Sequence, residues 1–190
     1  ETLPENIGDL RNLEILDFFS IEIKDIPETI VNLKSLKELH LSGTKVEVIP
    51  ENIGNLKNLK ILSLPERLKK VPSSIYDLVN LEILNIHSID QKELPNTIGN
   101  LKKLKELYIQ APIDNIPSSI CNLENIELLF LKGMEPMVEL PDSIGKLKAL
   151  KTLDIFFSLE KLPESIGDLI NLEVLILDGT ALKVLPENIG

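Results

Sequence analysis

Pro27-Glu28-Thr29-Ile30-Val31-Asn32-Leu33-Lys34-Ser35-Leu36-Lys37-Glu38-Leu39-His40-Leu41 is the stretch whose reading decides the fold. Leu39 and Leu41 share a face only if the chain there is extended, because side chains alternate along a strand. Glu38, His40 and Ser42 then point the other way. Upstream, proline fixes φ and has no N–H, so Pro27 suits the start of a short helix. Glu28 beside it places negative charge at the positive helix end. In the matching stretch at the start of the chain, Ile7, Leu10 and Leu13 fall at i, i+3 and i+6 and make one apolar stripe. Only a turn or two fits, so a 3₁₀ or ragged α segment is expected.

The phrase recurs. Its proline stands at 4, 27, 50, 72, 95, 117, 141, 163 and 186, at intervals of 22 to 24 residues. Strands are expected from Leu13, Leu36, Leu59, Leu81, Leu104, Ile126, Leu150 and Leu172. They return in the same direction each time, so they should form one parallel sheet with a spacing of about 4.8 Å. Parallel crossovers are right-handed. A period of 20 to 29 residues with this leucine spacing is the mark of a leucine-rich-repeat solenoid. The expected class is α/β: a right-handed horseshoe arc over residues 1–190, about eight repeats in a single domain. Its concave face is the parallel sheet and its convex face carries the short helical or 3₁₀ segments.

Leu140-Pro141-Asp142-Ser143-Ile144-Gly145-Lys146-Leu147 and Leu175-Ile176-Leu177-Asp178-Gly179-Thr180-Ala181-Leu182 resemble the leucine-rich repeats of intracellular plant disease-resistance receptors. The same phrase is similar to repeats of Ras-pathway scaffold proteins and of bacterial effectors delivered into host cells. The resemblance implies a protein-recognition module. Such repeats usually close the strand with an Asn, Thr, Ser or Cys that bonds backbone. The matching positions here are Ile21, Thr44, Arg67, Ile89, Pro112, Met134, Ser158 and Thr180, and only Thr44, Ser158 and Thr180 fit. These turns are expected to be irregular. The chain opens and stops inside a repeat without a polar cap, which reads as the repeat region of a longer protein.

Composition narrows the function. The chain has 190 residues, 43% of them hydrophobic, and a net charge of −10. That balance argues against nucleic-acid or anionic-membrane partners, which want a basic stripe. No apolar run approaches the roughly 18 residues of a membrane span. The single cysteine, Cys121, permits no intrachain disulfide and leans the reading toward an intracellular or host-targeted location. His40 and His87 are expected two strands apart, roughly 12 Å, too far to share one metal ion. Cys121 replaces a convex glycine and reads as structural. No phosphate loop is present. Neither an enzyme nor a cofactor is expected within these residues.

Two ladders look structural. Asn12, Asn58, Asn80, Asn125 and Asn171 each precede a strand-leading apolar residue and are expected to bond backbone in a stacked turn. Glu14, Lys37, Lys60, Glu82, Lys105, Glu127, Lys151 and Glu173 alternate in sign almost throughout, which reads as a solvated ladder of weak pairs.

The informative residues are on the outward rows of the sheet. The first row is Ile15, Glu38, Ile61, Ile83, Glu106, Leu128, Thr152 and Val174. The second is Asp17, His40, Ser63, Asn85, Tyr108, Phe130, Asp154 and Ile176. The third is Phe19, Ser42, Pro65, His87, Gln110, Lys132, Phe156 and Asp178. Of the phenylalanines, only Phe18 is expected in a core slot, with Phe157 at a turn. Interfaces are enriched in exposed aromatics, so Tyr108, Phe130, Phe156, Leu128, Ile176 and Phe19 are the expected contact residues for another protein. The first alternative is the substrate-recruiting arm of a ubiquitin ligase, kinase or GTPase whose catalytic domain is elsewhere. The second is a bacterial surface protein binding a host ligand or a glycan.

Overall fold

The structure, a computed structural model, describes residues 2–87, 90–133 and 139–189. Each repeat turns at its proline. Pro27 is extended, with φ −69° and ψ 150°, and its carbonyl accepts the N–H of Ile30 at 3.1 Å. It therefore caps the following segment and is not itself helical. The segments are all 3₁₀, as a run of three to five residues favours: η1 Glu5–Asp9, η2 Glu28–Asn32, η3 Ile53–Asn55, η4 Ser73–Asp77, η5 Asn96–Asn100, η6 Ser118–Asn122, η7 Ile144–Lys146 and η8 Glu164–Asp168.

Among the described residues, eight strands alternate with them: β1 Ile15–Asp17, β2 Glu38–His40, β3 Ile61–Ser63, β4 Ile83–His87, β5 Glu106–Gln110, β6 Leu128–Lys132, β7 Thr152–Phe156 and β8 Val174–Ile176. They begin two residues beyond the expected starts. Leu36 still closes the preceding turn, its N–H on the Leu33 carbonyl at 3.0 Å, and the ladder opens only with Lys37 and Glu38, which both donate to Glu14 O. The sheet is entirely parallel and in sequence order, β1 to β8. Its register stacks Leu16, Leu39, Leu62 and Leu84 into one inward column. Ile30, Leu33, Leu36 and Leu39 show no exposure at all, so stripe and strand close one core. In the first repeat the same stripe is only partly covered, with Leu10 50% exposed.

Convex packing alternates from step to step, a pattern the sequence reading did not foresee. η1 with η2, η3 with η4, η5 with η6 and η7 with η8 lie closer than the pairs between them. The fourth residue after the capping proline decides which. At Gly54 the next repeat comes so near that a Cβ would collide with the Ser74 carbonyl oxygen, and Gly99 and Gly145 meet Ser119 and Ser165 in the same way. Val31, Tyr76 and Cys121 take that position before the wider steps, and all three are buried. At the three later close steps a lysine spans the gap: Lys57 donates to Asp77 O at 3.1 Å, Lys102 to Asn122 O at 2.8 Å and Lys148 to Asp168 O at 2.7 Å.

The asparagine ladder forms between repeats. Asn58, Asn80, Asn125 and Asn171 donate from Nδ2 to the carbonyls of Lys34, Lys57, Lys102 and Lys148 at 2.7–2.8 Å. The charged ladder pairs too: Lys37 with Glu14 at 2.7 Å, Lys60 and Lys105 with Glu82 at 3.0 and 2.7 Å, and Lys151 with Glu127 at 2.6 Å.

Some expected positions differ. Phe157 is buried in the core, not left at a turn, because the alternation of Leu153, Ile155 and Phe157 continues one residue past β7. That shift leaves Ser158 exposed, so it does not close its strand as Thr44 and Thr180 do; their hydroxyls donate to Leu41 O at 2.8 Å and Leu177 O at 2.9 Å. Pro65 and Ser63 are buried despite belonging to outward rows. Ile89 and Met134, two of the expected turn positions, lie outside the described residues.

Candidate protein-binding surface

β5, β6 and β7 are five residues long and paired with one another along their whole length, so their outward side chains stand in fixed rows. Tyr108 is level with Phe130, and Phe130 with Asp154. The Tyr108 and Phe130 rings are 6.1 Å apart at 44°, within the range of a favourable tilted pair. The Tyr108 hydroxyl donates to Glu106 Oε2 at 2.8 Å. Burial, and then the bond and charge of Glu106, push its pKa up to about 12, so the ring stays a neutral donor. Leu128 is half-buried between Glu106 and Thr152 in the row below.

Phe156 belongs to the next row and is level with Lys132. Lys132 Nζ lies 4.9 Å from the centre of its ring, a cation–π contact. Phe156 is 41% exposed, and on β8 Ile176 and Val174 are 40% and 42% exposed. Ile176 stands level with Asp154. Asp154 titrates above its usual range, first because burial disfavours its charge and then because Asp178 repels it.

The expected residues thus fall into two groups. Tyr108, Phe130, Leu128, Phe156 and Ile176 share strands β5 to β8. Phe19, 68% exposed, follows β1 at the opposite end of the sheet and is not part of that patch. It lines a shallow hollow of about 280 Å³ with Asp17, His40, Ser42, Ser63 and Asn85. There Glu38 Oε2 is 3.3 Å from His40 Nε2, His40 Nδ1 is 3.5 Å from Ser63 Oγ, and Asn85 Nδ2 donates to Ser63 Oγ at 3.2 Å. This polar chain was missed from sequence, although His40, Ser63 and Asn85 were already consecutive in the second row.

The chemistry-bearing residues remain scattered. His87 is 3.9 Å from Glu66, whose carboxylate accepts the Gly43 N–H at 2.9 Å. Cys121 is 4% exposed, and burial raises its thiol pKa more than Ser143 and Lys146 lower it. Among the described residues, no group of three or more His, Cys, Asp or Glu could hold a metal ion. Among them, too, no helix is long and apolar enough to cross a membrane.

The leucine-rich repeat region family matches the chain over residues 1–65, 32–112 and 77–159. No curated protein matches it. Among solved structures, a leucine-rich-repeat protein of Leptospira interrogans is 34% identical with a TM-score of 0.91, over 99% of this chain and 48% of its own. This chain therefore spans about half of that neighbour's length. The Arabidopsis receptor kinase HAESA, solved with the peptide hormone IDA and a co-receptor, is 27% identical with a TM-score of 0.86, over 98% of this chain and 34% of its own. Internalin C2 of Listeria monocytogenes shares the fold at 22% identity and a TM-score of 0.72, over 96% of this chain and 83% of its own. The repeats, the parallel sheet and these matches together make the chain a member of the leucine-rich-repeat family, whose fold is a non-catalytic scaffold typical of protein–protein recognition.

Proposed function

We propose that this chain recognises another protein through the concave face of its sheet, with the β5–β8 patch as the anchor. The carrying observation is the cluster of partly exposed apolar side chains on one hydrogen-bonded sheet: Tyr108 and Phe130 at 6.1 Å on strands paired along their whole length, with Leu128, Phe156 and Ile176 on the same and following strands. Aromatic rings held in place lose little entropy on binding and are enriched at hot spots. The plant neighbour was solved with a peptide hormone, which supports a peptide-length segment as the form of the partner's contact.

Panning a displayed library of random peptides on the protein tests this reading. The selected peptides should lose about 2 kcal/mol or more of affinity on Phe130→Ala, the usual hot-spot scale. They should bind a convex variant, Glu51→Ala, as they bind the parent. Peptides indifferent to Phe130→Ala would show that the patch is not the anchor.

A further inference from the structure

The concave rows are electrically one-sided. They hold four carboxylates, Asp17, Glu38, Glu106 and Asp154, with a fifth, Asp178, in the turn just past β8, and one fixed cation, Lys132. The charged stripe beside them offers no compensation, because its lysines are already paired with its own glutamates. Three of the five carboxylates also have partners within the face. Glu38 is paired with His40, Glu106 accepts the Tyr108 hydroxyl, and Asp17 accepts the Phe19 N–H at 2.8 Å.

Asp154 and Asp178 have no hydrogen bond or ion pair among the described residues. Asp154 is half-buried, level with Phe130 on one side and Ile176 on the other. Asp178 follows two residues after Ile176, in the turn where a Cβ on Gly179 would touch the Phe156 ring, and its charge raises the cost of ionising Asp154. Lys132, the one cation on these rows, is held over the Phe156 ring. Two repelling carboxylates beside apolar walls are therefore left without a paired counter-charge among the described residues, next to the patch that would anchor a partner.

We infer that the partner brings the missing cation: a basic segment whose lysine or arginine docks against Asp154 and Asp178 while an apolar neighbour covers Tyr108 and Phe130. The inference rests on the concave-face reading above. A long cationic side chain can lay its methylenes along Ile176 and carry its charge to the carboxylates. Arginine fits best, since its planar fork can engage both oxygens of a carboxylate and its face can stack on an aromatic ring. An acidic segment meets like charge here and is rejected, so the pair selects partners as well as holding them.

The same panning experiment carries the test. Selected peptides should be enriched in lysine or arginine beside an apolar residue. Their affinity should fall about tenfold or more on the double variant Asp154→Asn, Asp178→Asn, a loss of about 1.4 kcal/mol per tenfold. The control Asp17→Asn, at the far end of the face, should leave it unchanged. Peptides without basic residues, dependent on Phe130 yet indifferent to the double variant, would overturn this inference and leave the concave reading standing. Indifference to Phe130→Ala, or no enrichment at all, would overturn both.

Discussion

Two neighbouring phenylalanines, Phe156 and Phe157, differ sharply in exposure. Phe156 is 41% exposed with Lys132 over its ring, whereas Phe157 is 5% exposed among the core leucines. Phe157→Ala should therefore cost about 3–5 kcal/mol in urea unfolding, the range for emptying a buried aromatic site. Phe156→Ala should change stability by roughly 0.5 kcal/mol or less, because it removes no core contact. Equal losses would mean that the two side chains do not face opposite ways. From sequence, Phe156 was legible as outward because the leucine period passes through it. Phe157 was not, since the usual turn residue of the repeat falls at Ser158 and would end the strand before it. The same cause hid the exposure of Ser158. Cross-strand contacts were harder still: the rows set Lys132 beside Phe156 and His40 beside Ser63, but whether the side chains meet depends on rotamers that the sequence does not give.

At the level of elements, the repeats are not equivalent. Gly54 keeps η3 and η4 close, and Tyr76 holds η4 and η5 apart. The sequence carried this signal openly, as glycine at 54, 99 and 145 against Val31, Tyr76 and Cys121. It goes unseen when copies are averaged into one consensus. Gly54 has ordinary backbone geometry, so the space around it decides what a substitution does. In Gly54→Ala the new methyl would meet backbone, which cannot swing away as a side-chain tip can. The unfolded chain would lose under about 1 kcal/mol of entropy in compensation. A net destabilisation of about 1–3 kcal/mol is expected, as for overpacking elsewhere. Urea unfolding of this variant checks it, and a stabilised protein would show that the close step has slack.

Across the whole molecule, charge is sorted by row. The flanking stripe is balanced and self-paired, while the concave rows keep an excess of carboxylates, which bears on how the fold responds to acid. Glu82 sits between Lys60 and Lys105 at 3.0 and 2.7 Å, and their hydrogen bonds hold its pKa down at about 2. A carboxyl that titrates lower in the folded chain than in the unfolded one stabilises the fold above its ordinary pKa. That contribution fades as pH falls from about 4.5 toward 2, when the folded form too takes up the proton. Glu82→Gln should then be less stable than the parent at pH 6, by about 1 kcal/mol at most, because the two lysines it pairs with are half exposed and screened by water. The gap should be small at about pH 2, close below it, and narrow at neutral pH in high salt. Urea unfolding of both proteins at each pH reads this out. A difference at pH 2 as large as that at pH 6 would mean that Glu82 acts through packing rather than charge.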